Sequence, residues 1–297
     1  MSDVQAALDR FGIVDAHVRR LPRGAVNDLW VIDAAGERYV LKRTHSNRLP
    51  EHTLREHEVL RFLGTRGWSV PQPLAADDGS TIVLVHGRTW WLAPWLPGRS
   101  PATTVASVGR LGALLARLHE DLAPLASLPP TTDSFGPRRL LERTETASGW
   151  RFADALVALE REDRVRGARL RREVDRVSTA LSRLPVGPSV LGHGDLHTGN
   201  LLVSAGCTSV LDFDFSHTME RAFDVATSIG LLNDQRLARS LVDGYGVLTD
   251  DEVASLSVLF DARQLLHASW LTFLWSQGTV APPELDATFD RLGTCGI

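Results

Sequence analysis

The chain has 297 residues, 43% hydrophobic and 23% charged, with a formal net charge of −4. That length allows one large domain or two lobes with cores of their own, and the charge gives no long-range pull toward nucleic acid or an anionic membrane. The two cysteines, Cys207 and Cys295, form no CxxC pair, which argues against a disulfide framework and a thiolate zinc site; with no signal pattern and no membrane-length apolar run, a cytoplasmic location is expected.

The first hundred residues predict a β-rich lobe. Leu29–Asp33 and Arg38–Lys42 are β-branched and aromatic runs joined by the turn signal Ala35-Gly36-Glu37, a hairpin pattern. Leu54–Leu63 has helical spacing and ends at Gly64 and Gly67. Thr81–Val85 and Thr89–Ala93 form a second strand pair around His86-Gly87, and Pro94-Trp-Leu-Pro-Gly98 breaks regular structure. Beyond this break the pattern turns helical. Val108–Leu122 is amphipathic, residues 125–150 are loop-rich, and Phe152–Leu184 reads as one helix with an arginine-rich face interleaved with acids, which predicts a solvated, ion-paired surface. Two short strands, Leu201–Val203 and Ser209–Leu211, precede a mostly helical remainder from Phe223. The expected fold is α+β and two-lobed, with a small β-rich lobe over 1–95 and a larger, mainly helical lobe over 96–297. The cleft of such a pair is a natural nucleotide site.

The chemistry concentrates in Gly192-His-Gly-Asp-Leu-His-Thr-Gly-Asn-Leu-Leu-Val203 and in Leu211-Asp-Phe-Asp-Phe215. Phosphoryl transfer needs two oxygen donors to hold Mg²⁺ against the phosphates, and a separate carboxylate to orient the acceptor hydroxyl and take its proton. Asp195 has the spacing of the base; Asn200 and Asp212 have the spacing of the metal ligands. Upstream, Lys42 ends an apolar strand where a phosphate-neutralising lysine belongs, and Glu56 follows on the helix as its partner. Leu21–Asp28 holds a single glycine and is a weak candidate for a phosphate-covering loop. Asp214 is open between a second metal-side carboxylate and a loop hydrogen-bonder. His193 reads as a structural loop histidine and His119 as a helix-end cation.

These pieces, with Ala93-Pro-Trp-Leu-Pro-Gly98, Leu115-Ala-Arg-Leu-His119 and Phe223-Asp-Val-Ala226, resemble the aminoglycoside phosphotransferase and choline-kinase-like superfamily, related in fold to the protein kinases. The resemblance implies ATP or another nucleoside triphosphate with Mg²⁺ as cofactors. It implies Asp195 as catalytic base, Asn200 and Asp212 on the metal, Lys42 on the nucleotide phosphates and Glu56 positioning Lys42. It places the adenine at the backbone near Ala93 and Trp95, and makes Asp224 the buried acid that braces the catalytic loop. A protein acceptor fits less well, because Asp212 precedes Phe-Asp rather than Phe-Gly and no Ala-Pro-Glu string follows.

Rival readings are a metallophosphoesterase built on Asp15-Ala-His17 and Gly194-Asp-Leu-His197, a zinc site on His193, Asp195 and His197, and a non-catalytic nucleotide-binding module. For the acceptor, the segment from Leu248 onward carries seven acids against two bases, while the rest is near neutral with 29 acids and 30 bases. That excess reads either as a solubilising surface or as an attraction for a cationic small-molecule acceptor such as an aminoglycoside or another antibiotic, with antibiotic resistance and primary metabolism both open as roles. Homoserine, choline or ethanolamine, and sugars are the metabolite alternatives. Asp261, His267, Trp270 and Trp275 are candidate pocket residues on the C-terminal helix.

Overall fold

The structure, a computed structural model, describes residues 2–22, 27–46, 48–126, 136–137, 152–232, 234–278 and 285–294. In chain order the elements are α1 (Asp3–Arg10), β1 (His17–Arg20), β2 (Asp28–Ala34), β3 (Glu37–Arg43), α2 (Pro50–Thr65), β4 (Val83–Val85), β5 (Arg88–Pro94), α3 (Val105–Leu122), α4 (Phe152–Glu162), α5 (Arg164–Leu181), β6 (Ser189–Gly192), β7 (Leu201–Ser204), β8 (Cys207–Val210), β9 (His217–Glu220), α6 (Arg221–Ile229), α7 (Gln235–Tyr245), α8 (Asp250–Ser276) and α9 (Leu285–Arg291). They form two compact units: Met1–Pro101 with Gly199–Asp214, and Ala102–Thr198 with Phe215–Ile297. The α+β class and the β-rich then helical order are those of the protein-kinase-like fold. Most of the loop-rich stretch 125–150 lies outside the described residues.

The first unit is built on an antiparallel sheet of order β1-β2-β3-β5-β4. Ala35-Gly36 and His86-Gly87 close its hairpins with positive φ at both residues of each turn (51° and 82°, 49° and 73°), the twist that matches right-handed strands. Strand alternation then sorts the side chains. Trp30, Ile32, Leu41, Trp90 and Leu92 pack with Ala7, Leu8 and Phe11 of α1, and Trp30 stacks on Trp90 at 5.1 Å. Their strand neighbours Lys42 and Trp91 pair in register and meet α2, whose His57 ring stands edge-on to Trp91. The β7–β8 hairpin belongs to this unit despite its place in the sequence. Arg99 and Val203 exchange backbone hydrogen bonds of 3.2 and 2.9 Å, and the Val210 amide donates to the Ser69 carbonyl at 2.9 Å. The unit therefore runs past residue 95 to Pro101 and takes back 199–214.

The second unit is organised on α8. This helix is apolar on most sides and buries fifteen of its residues, the signature of a central rather than a surface helix; α4, α5, α6 and α9 pack against it. α3 packs on α7 through glycine: a Cβ on Gly112 would lie 2.1 Å from the Leu241 carbonyl oxygen, so only hydrogen allows that approach. The single helix expected over Phe152–Leu184 is two. Asp163 leaves the helical region (φ −141°, ψ 92°) and its side chain accepts from the Arg166 amide as the N-cap of α5; a capping aspartate outcompetes helix continuation there. The arginine face is ion-paired as its interleaved acids predict, with Arg171 on Glu160, Arg166 on Asp163 and Asp286, and Arg176 on Glu173 and Asp261. Among the described residues no helix is long and apolar enough to cross a membrane.

Candidate active site

In the first unit, five charged groups converge. Lys42 is buried at the end of β3, with its ammonium 3.5 Å from Glu56 Oε1 and 3.2 Å from Asp212 Oδ1, and it also contacts Asp214. Its ammonium lies 5.4 Å from the centre of the Trp91 ring. Arg48 donates to Glu56 Oε2 at 3.0 Å and to the Asp214 carbonyl at 2.6 Å, and the Asn27 side-chain amide bonds the Asp214 carboxylate. Asp214 is thus a buried partner of Lys42 and Arg48. Burial works against the charge on Lys42, but Asp214, Glu56 and Asp212 outweigh it and raise its pKa. Burial also pushes Asp214 up, and Lys42 and Arg48 more than reverse that, so its pKa is lowered. Glu56 moves the other way: burial, aided by Asp214, lifts its carboxyl to about 8 against the pull of Lys42 and Arg48.

Asp212 differs from its two carboxylate neighbours. Its side chain is 43% exposed, against 2% for Glu56 and 5% for Asp214, and its backbone holds φ at 60°, a conformation rare outside glycine and asparagine. The Leu211 amide donates to the Asn200 carbonyl at 2.9 Å, which brings Asn200, at the base of the β7–β8 hairpin, beside the residue preceding Asp212. An exposed carboxylate and a nearby amide are hard oxygen donors of the kind Mg²⁺ takes while keeping waters, so these residues fit the ion. Among the described residues the one group of three or more metal-capable His, Cys, Asp or Glu side chains is Glu56, Asp212 and Asp214. It contains none of Asp15, His17, His193, Asp195 or His197, the residues on which the phosphoesterase and zinc readings depended.

The β3–β5 ladder sets what the segment after β5 offers. Val40 faces Ala93 in register, and the Trp95 amide donates to the Arg38 carbonyl at 2.9 Å. Doubly bonded pairs alternate in an antiparallel ladder, so Ala93 and Trp95 turn their backbone groups toward β3. The Leu92 carbonyl, on the opposite edge, accepts from the Leu74 amide at 2.8 Å, and the Pro94 carbonyl follows on that edge. Among the described residues the Leu96 amide donates to no backbone carbonyl.

In the second unit, the loop after β6 is held by a buried acid. Asp224 on α6 accepts from the His193 amide at 2.7 Å and from the Gly194 amide at 2.9 Å. His119 Nε2 lies 2.8 Å from the same carboxylate, and its Nδ1 lies 2.8 Å from the Tyr245 hydroxyl. His119, in the last turn of α3, is therefore a buried link in this chain. Burial raises Asp224, but the hydrogen bond and charge of His119 prevail and its pKa is lowered. Gly194 has φ +80°, and a Cβ there would meet the Phe215 carbonyl oxygen at 2.3 Å. Asp195 follows, partly exposed, with its amide hydrogen on His193 Nδ1 at 3.3 Å. One carboxylate oxygen lies 3.9 Å from Arg263 Nη2 of α8 and the other 4.0 Å from His197 Nε2. Arg263 shows no helical or motif signal in the sequence that would single it out; only the packing of α8 brings it to Asp195.

The acidic C-terminal segment is largely spent inside the structure. Glu252 caps α8 and pairs with Arg221; Asp261 is buried, bonding Arg176 and the Gly293 amide; Asp286 pairs with Arg166, and Asp290 lies 3.7 Å from Arg169. Asp250 and Asp251 sit in the first turn of α8, where the helix end favours acids. Basic residues elsewhere in the chain therefore neutralise much of that charge. Of the other candidate pocket residues, Trp270 stacks on Phe273 at 5.8 Å, and His267 lies one turn from Arg263.

The profile of the phosphotransferase enzyme family matches residues 17–256. A homoserine kinase of Granulibacter bethesdensis is 31% identical over 280 residues, covering 86% of this chain and 81% of that protein. A homoserine kinase of Azorhizobium caulinodans is 27% identical over 292 residues, covering 92% and 83%. Among solved structures, an amicoumacin kinase with bound AMP-PNP and Ca²⁺ superposes with a TM-score of 0.73 at 19% identity, covering 98% of this chain and 91% of that one. With the family profile spanning most of its length, the chain belongs to the phosphotransferase enzyme family and is a small-molecule kinase.

Proposed function

We propose that the protein transfers the γ-phosphate of ATP to the hydroxyl of a compact amino acid of the homoserine type. The observation that carries the transfer reading is the division of labour among the carboxylates of the first unit. Asp214 and Glu56, both buried, hold Lys42, while Asp212, which Lys42 also reaches, keeps a partly exposed carboxylate on which a metal would bind. The ammonium of Lys42 offsets phosphate charge, and its neighbours fix it in place for that task. Asn200 and Asp212 would hold Mg²⁺, which supplies further neutralisation of the phosphates when bound. The adenine is read by the Pro94 carbonyl and the Leu96 amide, which flank the committed backbone of Ala93 and Trp95.

Asp195 aligns the acceptor hydroxyl and takes its proton as the new P–O bond forms and the bond to the β-phosphate oxygen breaks, releasing ADP. Its backbone is held through the Asp224 clamp on His193 and Gly194, so positioning rather than covalent chemistry is the protein's main contribution. The acceptor class rests on the homoserine kinases that align over most of their own length. Much of the acidic charge that would favour the antibiotic alternative is neutralised within the chain.

The test is ATP consumption with L-homoserine, choline, ethanolamine, glucosamine and an aminoglycoside panel. L-Homoserine is expected to give the highest kcat/KM. Asp195→Asn is expected to lower kcat on the order of 10²–10⁴-fold while leaving ATP binding intact. Preference for another acceptor would overturn the homoserine assignment, and an Asp195→Asn enzyme with undiminished kcat would overturn the role of Asp195.

A further inference from the structure

Arg263 is the observation that the transfer reading does not use. It lies on α8 with a side chain only 11% exposed. A guanidinium carries five donors and is always charged, and its burial is costly unless those donors are met. Among the described residues no carboxylate other than Asp195 comes within 4 Å of it, and that contact, at 3.9 Å, is too long for a charge-assisted hydrogen bond. Its surroundings add positive charge. Arg291 of α9 donates to the Leu232 carbonyl at 2.8 Å and lies over the Phe260 ring of α8. Burial disfavours the charge on Arg263 and Asp195 favours it, while Arg291 is near enough to disfavour it further. His267, one turn along α8, is exposed. Arg263 and Arg291 therefore stand near one another, and among the described residues Asp195 is the one carboxylate near Arg263, without a hydrogen bond to it.

We propose that Arg263 binds the carboxylate of the acceptor and so selects hydroxy acids over amino alcohols. This rests on the kinase reading and assigns the residue that sets its specificity. A hydroxyl bonded to Asp195 and a carboxylate bonded to Arg263 would lie no more than about 9 Å apart, and closer when the contacts bend. A four-carbon hydroxy amino acid fits that span. A carboxylate also gives the guanidinium the bidentate partner that Asp195 does not supply. An acceptor lacking it leaves the buried charge unpaired, a stronger basis for rejection than a missing apolar contact.

The experiment compares the full chain, with ATP and Mg²⁺, on L-homoserine and on 3-amino-1-propanol, which is the same molecule without the carboxylate. Wild type is expected to prefer L-homoserine in kcat/KM on the order of 10²-fold. Arg263→Met should remove most of that preference by raising the KM for L-homoserine while leaving the KM for 3-amino-1-propanol unchanged. Arg263→Lys, which keeps the charge and loses the fork, should retain part of it and guards against a methionine variant that fails to fold. Equal or reversed preference in wild type, or preference undiminished in a folded variant, overturns the proposal. Turnover of an aminoglycoside with neither of these two acceptors also overturns it, while the kinase reading stands. Failure of wild type to bind Mg·ATP, read by a thermal shift, overturns both.

Discussion

At the scale of single residues, the buried cluster around Lys42 has an odd charge count. Two cations, Lys42 and Arg48, face three carboxylates, Glu56, Asp212 and Asp214. One carboxyl does best by keeping its proton, and Glu56, the most buried, is lifted to about 8, first by burial. The linkage sign follows. A carboxyl whose folded pKa is raised stabilises the fold below its unfolded value near 4.5, and that contribution is lost as pH climbs toward 8. Asp214, lowered by Lys42 and Arg48, acts oppositely: its contribution is present above 3.8 and lost in acid. The thermal midpoint of the nucleotide-free protein is therefore expected to decline between about pH 4.5 and 8, and Glu56→Gln, which cannot titrate, should flatten that decline. Parallel profiles for wild type and variant would remove Glu56 as the titrating group. The Lys42–Glu56 pair was legible in the sequence because strand and helix follow each other within fourteen residues. Asp214, Arg48 and Asn27 were not, since their meeting depends on a hairpin some 170 residues downstream of Lys42 folding back onto the first unit.

At the scale of elements, the loop from Gly192 to Thr198 is held by its backbone. Asp224 takes two successive amides, and Gly194 adopts a conformation that L-residues rarely take while passing close to Phe215. Gly194→Ala therefore meets both a positive φ and a backbone clash, and the loop must shift. The expected outcome is a loss of kcat on the order of 10²-fold with ATP affinity little changed, measured by steady-state kinetics beside nucleotide titration. Undiminished kcat would show that the loop tolerates displacement. Element reading from sequence succeeded where turn residues punctuate strands, as at Ala35-Gly36 and His86-Gly87. It failed at Asp163, where a capping aspartate hides inside an otherwise helical run. It also missed α1, β1, β6 and β9, which are short. β6 and β9, for example, are stabilised by pairing with each other across 25 or more residues.

At the scale of the whole molecule, the acidic C-terminal segment and the arginine face of α5 are two halves of one ion-paired surface. Such exposed pairs carry little specificity. The double variant Asp286→Asn, Asp290→Asn is expected to leave the KM of every acceptor within about twofold of wild type, because these charges are spent on arginines rather than on a ligand. A marked rise in KM for cationic acceptors alone would restore the cationic-acceptor reading.

The sequence by itself determined the reaction class, because phosphoryl transfer demands particular side chains at short spacings within single loops and strands, and those spacings survive in one dimension. It also determined the α+β order of the two units, through hydrophobic periodicity and turn residues. Tertiary structure alone decided the charge that greets the acceptor. Electrostatic environment is a sum over neighbours in space: Arg176 cancels Asp261 from 85 residues away, and Arg263 reaches Asp195 only through the packing of α8. Counting charges along the chain gives an acidic segment, whereas folding leaves an arginine beside Asp195.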